Sequence, residues 1–150
     1  MQNYNTINKS FKALCYKSLN NISLLANASA FLNEILDERC NWCGFYLYEN
    51  NQLLLGPFQG KVACTPLSLD KGVCGASATK RETVIVPNVH NFSGHIACDN
   101  ASCSEIVVPI VVAGELYGVL DIDSSEYDTF NDIDKLGLEE FVKIIVENLI

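Results

Sequence analysis

The chain has 150 residues, 49 % of them hydrophobic and 19 % charged, a size and composition that bury one core in a single domain and exclude disordered, collagen-like and disulfide-miniprotein classes. Ten basic against 18 acidic side chains give a formal charge of −8, so phosphate backbones and anionic lipid find no electrostatic footing, and neither nucleic acid nor membrane is expected as a partner. The chain opens MQNYNTINKS, with no basic segment leading into an apolar run. Its longest strongly apolar stretch, 106–113, is far short of a bilayer span and contains Pro109. A cytoplasmic protein is expected. The Asn-x-Ser sequons at Asn8, Asn21, Asn27, Asn91 and Asn100 are therefore discounted, and the seven cysteines read as catalytic, metal-binding or simply buried.

In chain order, residues 1–40 lack Pro and Gly, and their apolar spacing predicts two helices. The first carries Ile7, Phe11, Leu14 and Leu19 and ends near Asn20-Asn21. The second carries Ile22, Leu25, Ser29, Leu32 and Leu36, with Leu24, Ala28, Phe31 and Ile35 on its flank. The aromatic run Trp42 to Tyr48, the pair Asn50-Asn51 and the run Gln52 to Pro57 predict a hairpin. Residues 56–80 read as a glycine-punctuated loop with short strand pieces and a helix from Gly75 to Lys80. Thr83 to Val86 reads as a strand, and Pro87 to Ser104 as a second long loop; loops of this length in compact domains are usually functional. Glu105 to Val112 and Leu116 to Asp123 form a hairpin around Ala113-Gly114-Glu115. Asn131 caps a last helix with a stripe of Ile133, Leu136, Glu140, Phe141, Ile144 and Leu149. Since hairpins dominate, the expected fold is α+β, an antiparallel sheet with helices packed on it.

Strand alternation places Tyr117, Val119, Asp121 and Asp123 on one face and Gly118, Leu120 and Ile122 on the other. Asp is depleted in strands, so two of them pointing together need a reason; a solvent-facing edge is one. Glu105 could add a third acid at the same mouth, suited to bind an ammonium or, by mutual repulsion, to keep one carboxyl protonated. By the same parity Trp42, Gly44, Tyr46 and Tyr48 share a face opposite Cys43, Phe45 and Leu47, so Trp42 and Tyr46 could wall a pocket or sit in the core. Cys64, Cys74, Cys98 and Cys103 fall in or beside the long loops, where thiols are free to react. Cys40-Asn41-Trp42-Cys43 matches a redox or zinc CxxC, but a strand extending through Cys40 would send the two thiols to opposite faces. His90, His95, Cys98 and Cys103 could bind zinc, without a second CxxC to support it, and a Cys98–His95 hydrolase pair is open on equally thin grounds.

The series Asn41-Trp42-x-Gly44-Phe45-Tyr46, Gly56-Pro57-Phe58-Gln59-Gly60, Ala63-Cys64, Gly72-Val73-Cys74-Gly75, Gly94-His95-Ile96-Ala97-Cys98-Asp99, Ser104-Glu105-Ile106-Val107-Val108-Pro109 and Gly118-Val119-Leu120-Asp121-Ile122-Asp123-Ser124 resembles the motifs of the free methionine-(R)-sulfoxide reductases, small stand-alone GAF-domain enzymes. The resemblance covers nearly the whole chain. It implies a GAF-like α+β fold, with about six antiparallel strands, the terminal helices on one face and pocket-closing loops on the other. The reaction it implies reduces free methionine-R-sulfoxide, with electrons drawn from thioredoxin, in a homodimer and without a metal or organic cofactor. By position, Cys98 is similar to the attacking cysteine, Cys64 to its resolving partner and Cys74 to a third cysteine that assists recycling. Trp42 and Tyr46 match pocket aromatics, and Glu105, Asp121 and Asp123 the acidic cluster. Cys43 and Cys103 depart from the pattern, and Cys103 could compete with Cys64. The alternative is a GAF-type small-ligand or redox-sensing module with no chemistry of its own.

Overall fold

In the computed structural model, which describes residues 3–15, 20–94 and 101–150, the two N-terminal segments form α1 (Tyr4–Leu14) and α2 (Asn21–Leu36). Each begins after an asparagine whose side chain accepts a backbone N–H, Asn3 from Thr6 at 3.2 Å and Asn20 from Ile22 at 2.8 Å. α1 is shorter than its periodicity suggests, because Cys15 turns the backbone to an extended conformation. Leu14 and Ile22 are exposed, Leu19 lies outside the described residues, and the packed side chains are Ile7 and Phe11 from α1 and Leu24, Leu25, Ala28, Leu32 and Leu36 from α2.

Six strands, β1 (Trp42–Glu49), β2 (Gln52–Gln59), β3 (Leu67–Ser68), β4 (Val84–Val86), β5 (Ser104–Val112) and β6 (Glu115–Ser124), form one antiparallel sheet in the order β3-β2-β1-β6-β5-β4. Two tight turns set its register. Asn50 and Asn51, at φ 52° and 61°, and Ala113 and Gly114, at 51° and 81°, place both central residues in the left-handed region that matches strand twist. β2 continues through Gly56 and Pro57 to Gln59, with a register shift opposite Gly44 to Tyr46 that accommodates the proline.

The alternation separates two cores. Cys43, Phe45, Ile106, Val108, Ile110, Leu120 and Ile122 face α1, α2 and α4 (Asp132–Asn148), whereas Trp42, Tyr46, Val107 and Val119 face α3 (Gly72–Lys80). Tyr117 departs from the expected parity. Ile110 pairs with Gly118 and Val111 with Leu116, so Tyr117 is an extra residue that turns to the helix side. α3 starts at Gly72, three positions before the expected Gly75, since burial of Val73 and Cys74 outweighs the weak helix propensity of the glycines. β1 begins only at Trp42, so Cys40 precedes the strand, and its thiol donates to the Trp42 carbonyl at 3.2 Å.

α4 presents a face different from the expected stripe. Ile133, Leu136 and Glu140 are exposed, while Asp134, Gly137, Leu138, Phe141, Ile144 and Ile145 are buried. The reason is polar and steric. Asp134 closes a capping box with Asn131, accepts Tyr4 Oη at 2.6 Å and pairs with Arg39 at 2.9 Å, while a Cβ at Gly137 would stand 2.0 Å from Tyr4 Cγ. Gly137→Ala should therefore cost on the order of 1–3 kcal/mol by overpacking. Urea denaturation would show the loss shrinking when Tyr4→Ala is present, because the methyl then has room.

Candidate active site

The register of β1, β6 and β5 builds the site. Trp42 pairs with Asp123 and Asp123 with Glu105; one step along, Gly44 pairs with Asp121 and Asp121 with Val107. Glu105, Asp121, Asp123, Trp42 and Tyr46 thus project from the face opposite the helical core and line one cavity with Cys74. Opposite Asp121 a glycine is required, since a Cβ at Gly44 would lie 2.2 Å from Phe58 Cβ. Trp42 is stacked between Tyr46, at 5.9 Å, and Phe58, at 5.2 Å between ring centroids. The cavity leaves about 60 Å³ for the centre of a water-sized sphere, room for several waters or a short side chain.

The polar ends of the two aromatics hold the loop that follows β2. Trp42 Nε1 donates to the Lys61 carbonyl at 3.0 Å and Tyr46 Oη to the Cys64 carbonyl at 2.9 Å. Thr65 Oγ1 accepts Leu55 N–H at 3.1 Å, and Gly60, at φ +136°, passes so near the indole that a Cβ would lie 2.6 Å from Trp42 Cδ1. Cys64 is thereby fixed beside the cavity, and it is disulfide-bonded. The far wall is the first turn of α3, where Lys71, Gly72 and Val73 join Cys74 in the lining; Lys71, as N-cap, gives the helix no side-chain cap. The Gly72 N–H donates to the Gly94 carbonyl at 2.9 Å, so what this wall adds to a cavity otherwise rich in acid is the lysine.

Burial and crowding set the protonation of the cluster. Desolvation pushes the Glu105 carboxyl well above the usual carboxylate range, and Asp121 and Asp123 push it further. Asp121 is also raised by burial, but hydrogen bonds from Glu105 and Cys74 work in the other direction. The Cys74 thiol is pushed well up by burial, then by the acids. Glu105 and Cys74 are therefore the protonated donors and Asp121 the acceptor, whose Oδ1 is buried without a hydrogen-bond partner. Cys74 Sγ and oxygens of Glu105 and Asp121 lie within 4.8 Å of one another, a donor set that could also hold a borderline divalent cation.

The cavity brings together six of the eight residues singled out in the sequence: Trp42, Tyr46, Cys74, Glu105, Asp121 and Asp123. Cys64 borders it through its loop, and Cys98 lies outside the described residues, as does His95. His90, on the 3-10 turn Val89–Asn91, is exposed. The sequence reading missed Lys71, Gly72, Val73 and Ser102 in the lining. Gly72 was visible as part of a motif, but nothing in its spacing showed that a helix starts there.

The chain is a GAF domain: the family model described as GAF domain matches residues 24–148. It is 47 % identical over 139 residues to the free methionine-R-sulfoxide reductase of Escherichia coli, covering 93 % of this chain and 84 % of that one. Among solved structures, the fRMsr of Staphylococcus aureus in its reduced form superposes with a TM-score of 0.94 at 49 % identity, covering 99 % and 96 % of the two chains. The free methionine-R-sulfoxide reductase of Neisseria meningitidis, solved with its substrate, gives 0.92 at 37 % identity and covers 97 % and 87 %. Within the GAF proteins, the chain belongs to the free methionine-R-sulfoxide reductase family.

A carboxyl raised in the fold binds its proton more tightly there than in the unfolded chain. The stability it contributes is full below the ordinary value of 4.5 and is lost as pH rises toward the folded value. Glu105→Gln should accordingly flatten the fall in stability of the native protein between that value and neutral or alkaline pH. Denaturation midpoints that stay parallel for the two proteins across this range would contradict the protonation assignment.

Proposed function

We propose that the chain reduces free L-methionine-(R)-sulfoxide to methionine by thiol chemistry. The observation that carries this reading is the convergence of an indole wall, three carboxyl groups and a thiol on one small cavity in a member of this reductase family. The methylsulfinyl group packs against Trp42. The substrate ammonium pairs with Asp121 and Asp123, the former having an open buried oxygen, and its carboxylate meets Lys71 at the start of α3.

Cys98 acts as the nucleophile, its thiolate attacking the sulfoxide sulfur. The S–S bond so formed and the S–O bond of the substrate both break as oxygen passes to Cys98, and Glu105, a carboxyl held protonated, supplies the proton that this oxygen carries. Methionine departs and Cys98 carries a sulfenic acid. Cys64 then attacks that sulfur, water leaves, and a Cys64–Cys98 disulfide forms; the finding that Cys64 is disulfide-bonded supports this pairing. A dithiol protein of the thioredoxin class returns two electrons and two protons, and Cys74 relays exchange from within the cavity. The family resemblance further supports a cytoplasmic homodimer.

A coupled assay following NADPH oxidation through thioredoxin reductase and thioredoxin should show turnover of free methionine-R-sulfoxide and none of the S epimer. Equal turnover of both epimers, or of neither, removes the reading. Cys98→Ser should release no methionine even in a single turnover, whereas Cys64→Ser should release one equivalent and stop. Glu105→Gln should lower kcat by about 10² to 10⁴, with a smaller change in KM.

A further inference from the structure

Cys74, Glu105 and Asp121 come from three different elements, the first turn of α3, β5 and β6, and all three are buried, at 5 %, 7 % and 6 % exposure. Cys74 is a free thiol, and its Sγ and one carboxyl oxygen from each acid lie within 4.8 Å of one another. Buried free cysteines ordinarily pack as small hydrophobes; this one meets two carboxyl groups instead. Asp121 Oδ1 is buried without a hydrogen-bond partner, and the residue lines the cavity. An orphaned buried acceptor calls for a donor or a cation.

Zinc holds sulfur at about 2.3 Å and carboxylate oxygen at about 2.0–2.2 Å, so tetrahedral ligand atoms stand about 3.4 to 3.6 Å apart. Atoms already within 4.8 Å need to close by at most about 1.4 Å, which side-chain rotation covers. A thiolate with two carboxylates is a mixed soft and hard set that suits zinc or cobalt, whereas magnesium and calcium take oxygen ligands. Three protein ligands leave a fourth position open, and the cavity that all three line has room for a water. Charge balances as well. A divalent cation entering the site displaces the thiol proton and one proton of the carboxyl cluster to solvent, so two positive charges leave as two arrive.

We propose that Cys74, Glu105 and Asp121 form a binding site for one zinc-class divalent cation, and that the bound cation excludes the substrate. Exclusion rests on the binding mode proposed above, in which the Asp121 oxygen takes the ammonium and Glu105 gives the proton. Cation binding itself stands on the placement of the three ligand atoms and the orphaned oxygen. The occupied site is a closed state of the pocket, set by the concentration of free zinc-class ion.

The full-length protein in its disulfide form, where Cys64 is bonded and cannot ligate, is titrated with cobalt(II), whose absorbance reports its ligands. A near-ultraviolet thiolate-to-cobalt charge-transfer band should grow to one equivalent and be abolished by zinc but not by magnesium. Cys74→Ser should remove the band, while Asp121→Asn and Glu105→Gln should each keep it and weaken cobalt binding by about tenfold or more. Cys103→Ser, outside the cavity lining, should leave the titration unchanged. Should Cys74→Ser fail to fold, the two carboxyl variants decide the matter. Free methionine-R-sulfoxide should displace the ion, raising its apparent dissociation constant as the sulfoxide concentration rises. No thiolate band in the wild-type protein, a band that persists in Cys74→Ser, or wild-type affinity in both carboxyl variants would each overturn the site. A band indifferent to methionine-R-sulfoxide would overturn the exclusion, and a failed reductase assay beside an intact band would count against the reductase reading alone.

Discussion

Glu105 and Asp123 stand directly opposite each other across β5 and β6, with Asp121 two positions along the same face. Like charges in that relation repel, and here Glu105 and Asp121 are also withdrawn from water. The ion pairs of Arg39 with Asp134 and Lys143 with Glu140 lie elsewhere in the fold. A fully ionised cluster would cost several kcal/mol per buried charge, so the fold keeps protons on it. Much of the site's chemistry follows from this constraint. The groups forced to stay protonated are donors poised over a cavity, and the one left as acceptor has an oxygen with nothing to bind.

The sheet register creates that crowding, and β1 turns it into a pocket. Trp42 and Tyr46 each use the apolar body of the ring as wall and the polar end as anchor, and both anchors fall on the same loop, at Lys61 and Cys64. Holding Cys64 by its backbone carbonyl fixes where its sulfur stands beside the cavity. Gly44 and Gly60 are the complementary requirement. The first lets β2 close over the strand, and the second lets the loop pass against the indole.

Parity arguments were most reliable in the sequence where strands run without interruption. The faces assigned to residues 42–48 and 118–123 are those observed; Asp121 and Asp123 share a side by even spacing, and Glu105 joins them as the cross-strand partner of Asp123. Tyr117 escaped because a bulge is a property of two paired strands, invisible in either alone. The inner face of α4 escaped because Asp134 and Gly137 occupy it, a polar cap and an absent side chain that apolar periodicity counts as solvent-facing. Lys71 and the start of α3 were missed for a related reason. Glycine lowers helix propensity, so the helix was placed after the residues that line the pocket. The setting of Cys40 turned on where β1 begins, and boundaries are what local sequence specifies least.

In the proposed binding mode, selectivity for a free amino acid over a methionine sulfoxide residue in a polypeptide follows from the same buried acids. A peptide substrate offers no ammonium to Asp121 and no free carboxylate to Lys71, so binding it would desolvate the cluster and leave its acceptor unpaired. A buried acceptor left unsatisfied costs about 1–3 kcal/mol, and more when charged, and sites built around a polar group reject analogues lacking it by about 10⁴ to 10⁵. The indole contributes little to this discrimination, since it meets the same methyl and sulfur in either substrate. In the proposed reaction, the carboxyl groups thus serve two ends with one arrangement. Their mutual repulsion keeps a proton available for the departing oxygen, and the open Asp121 oxygen is answered by a substrate carrying its own positive charge.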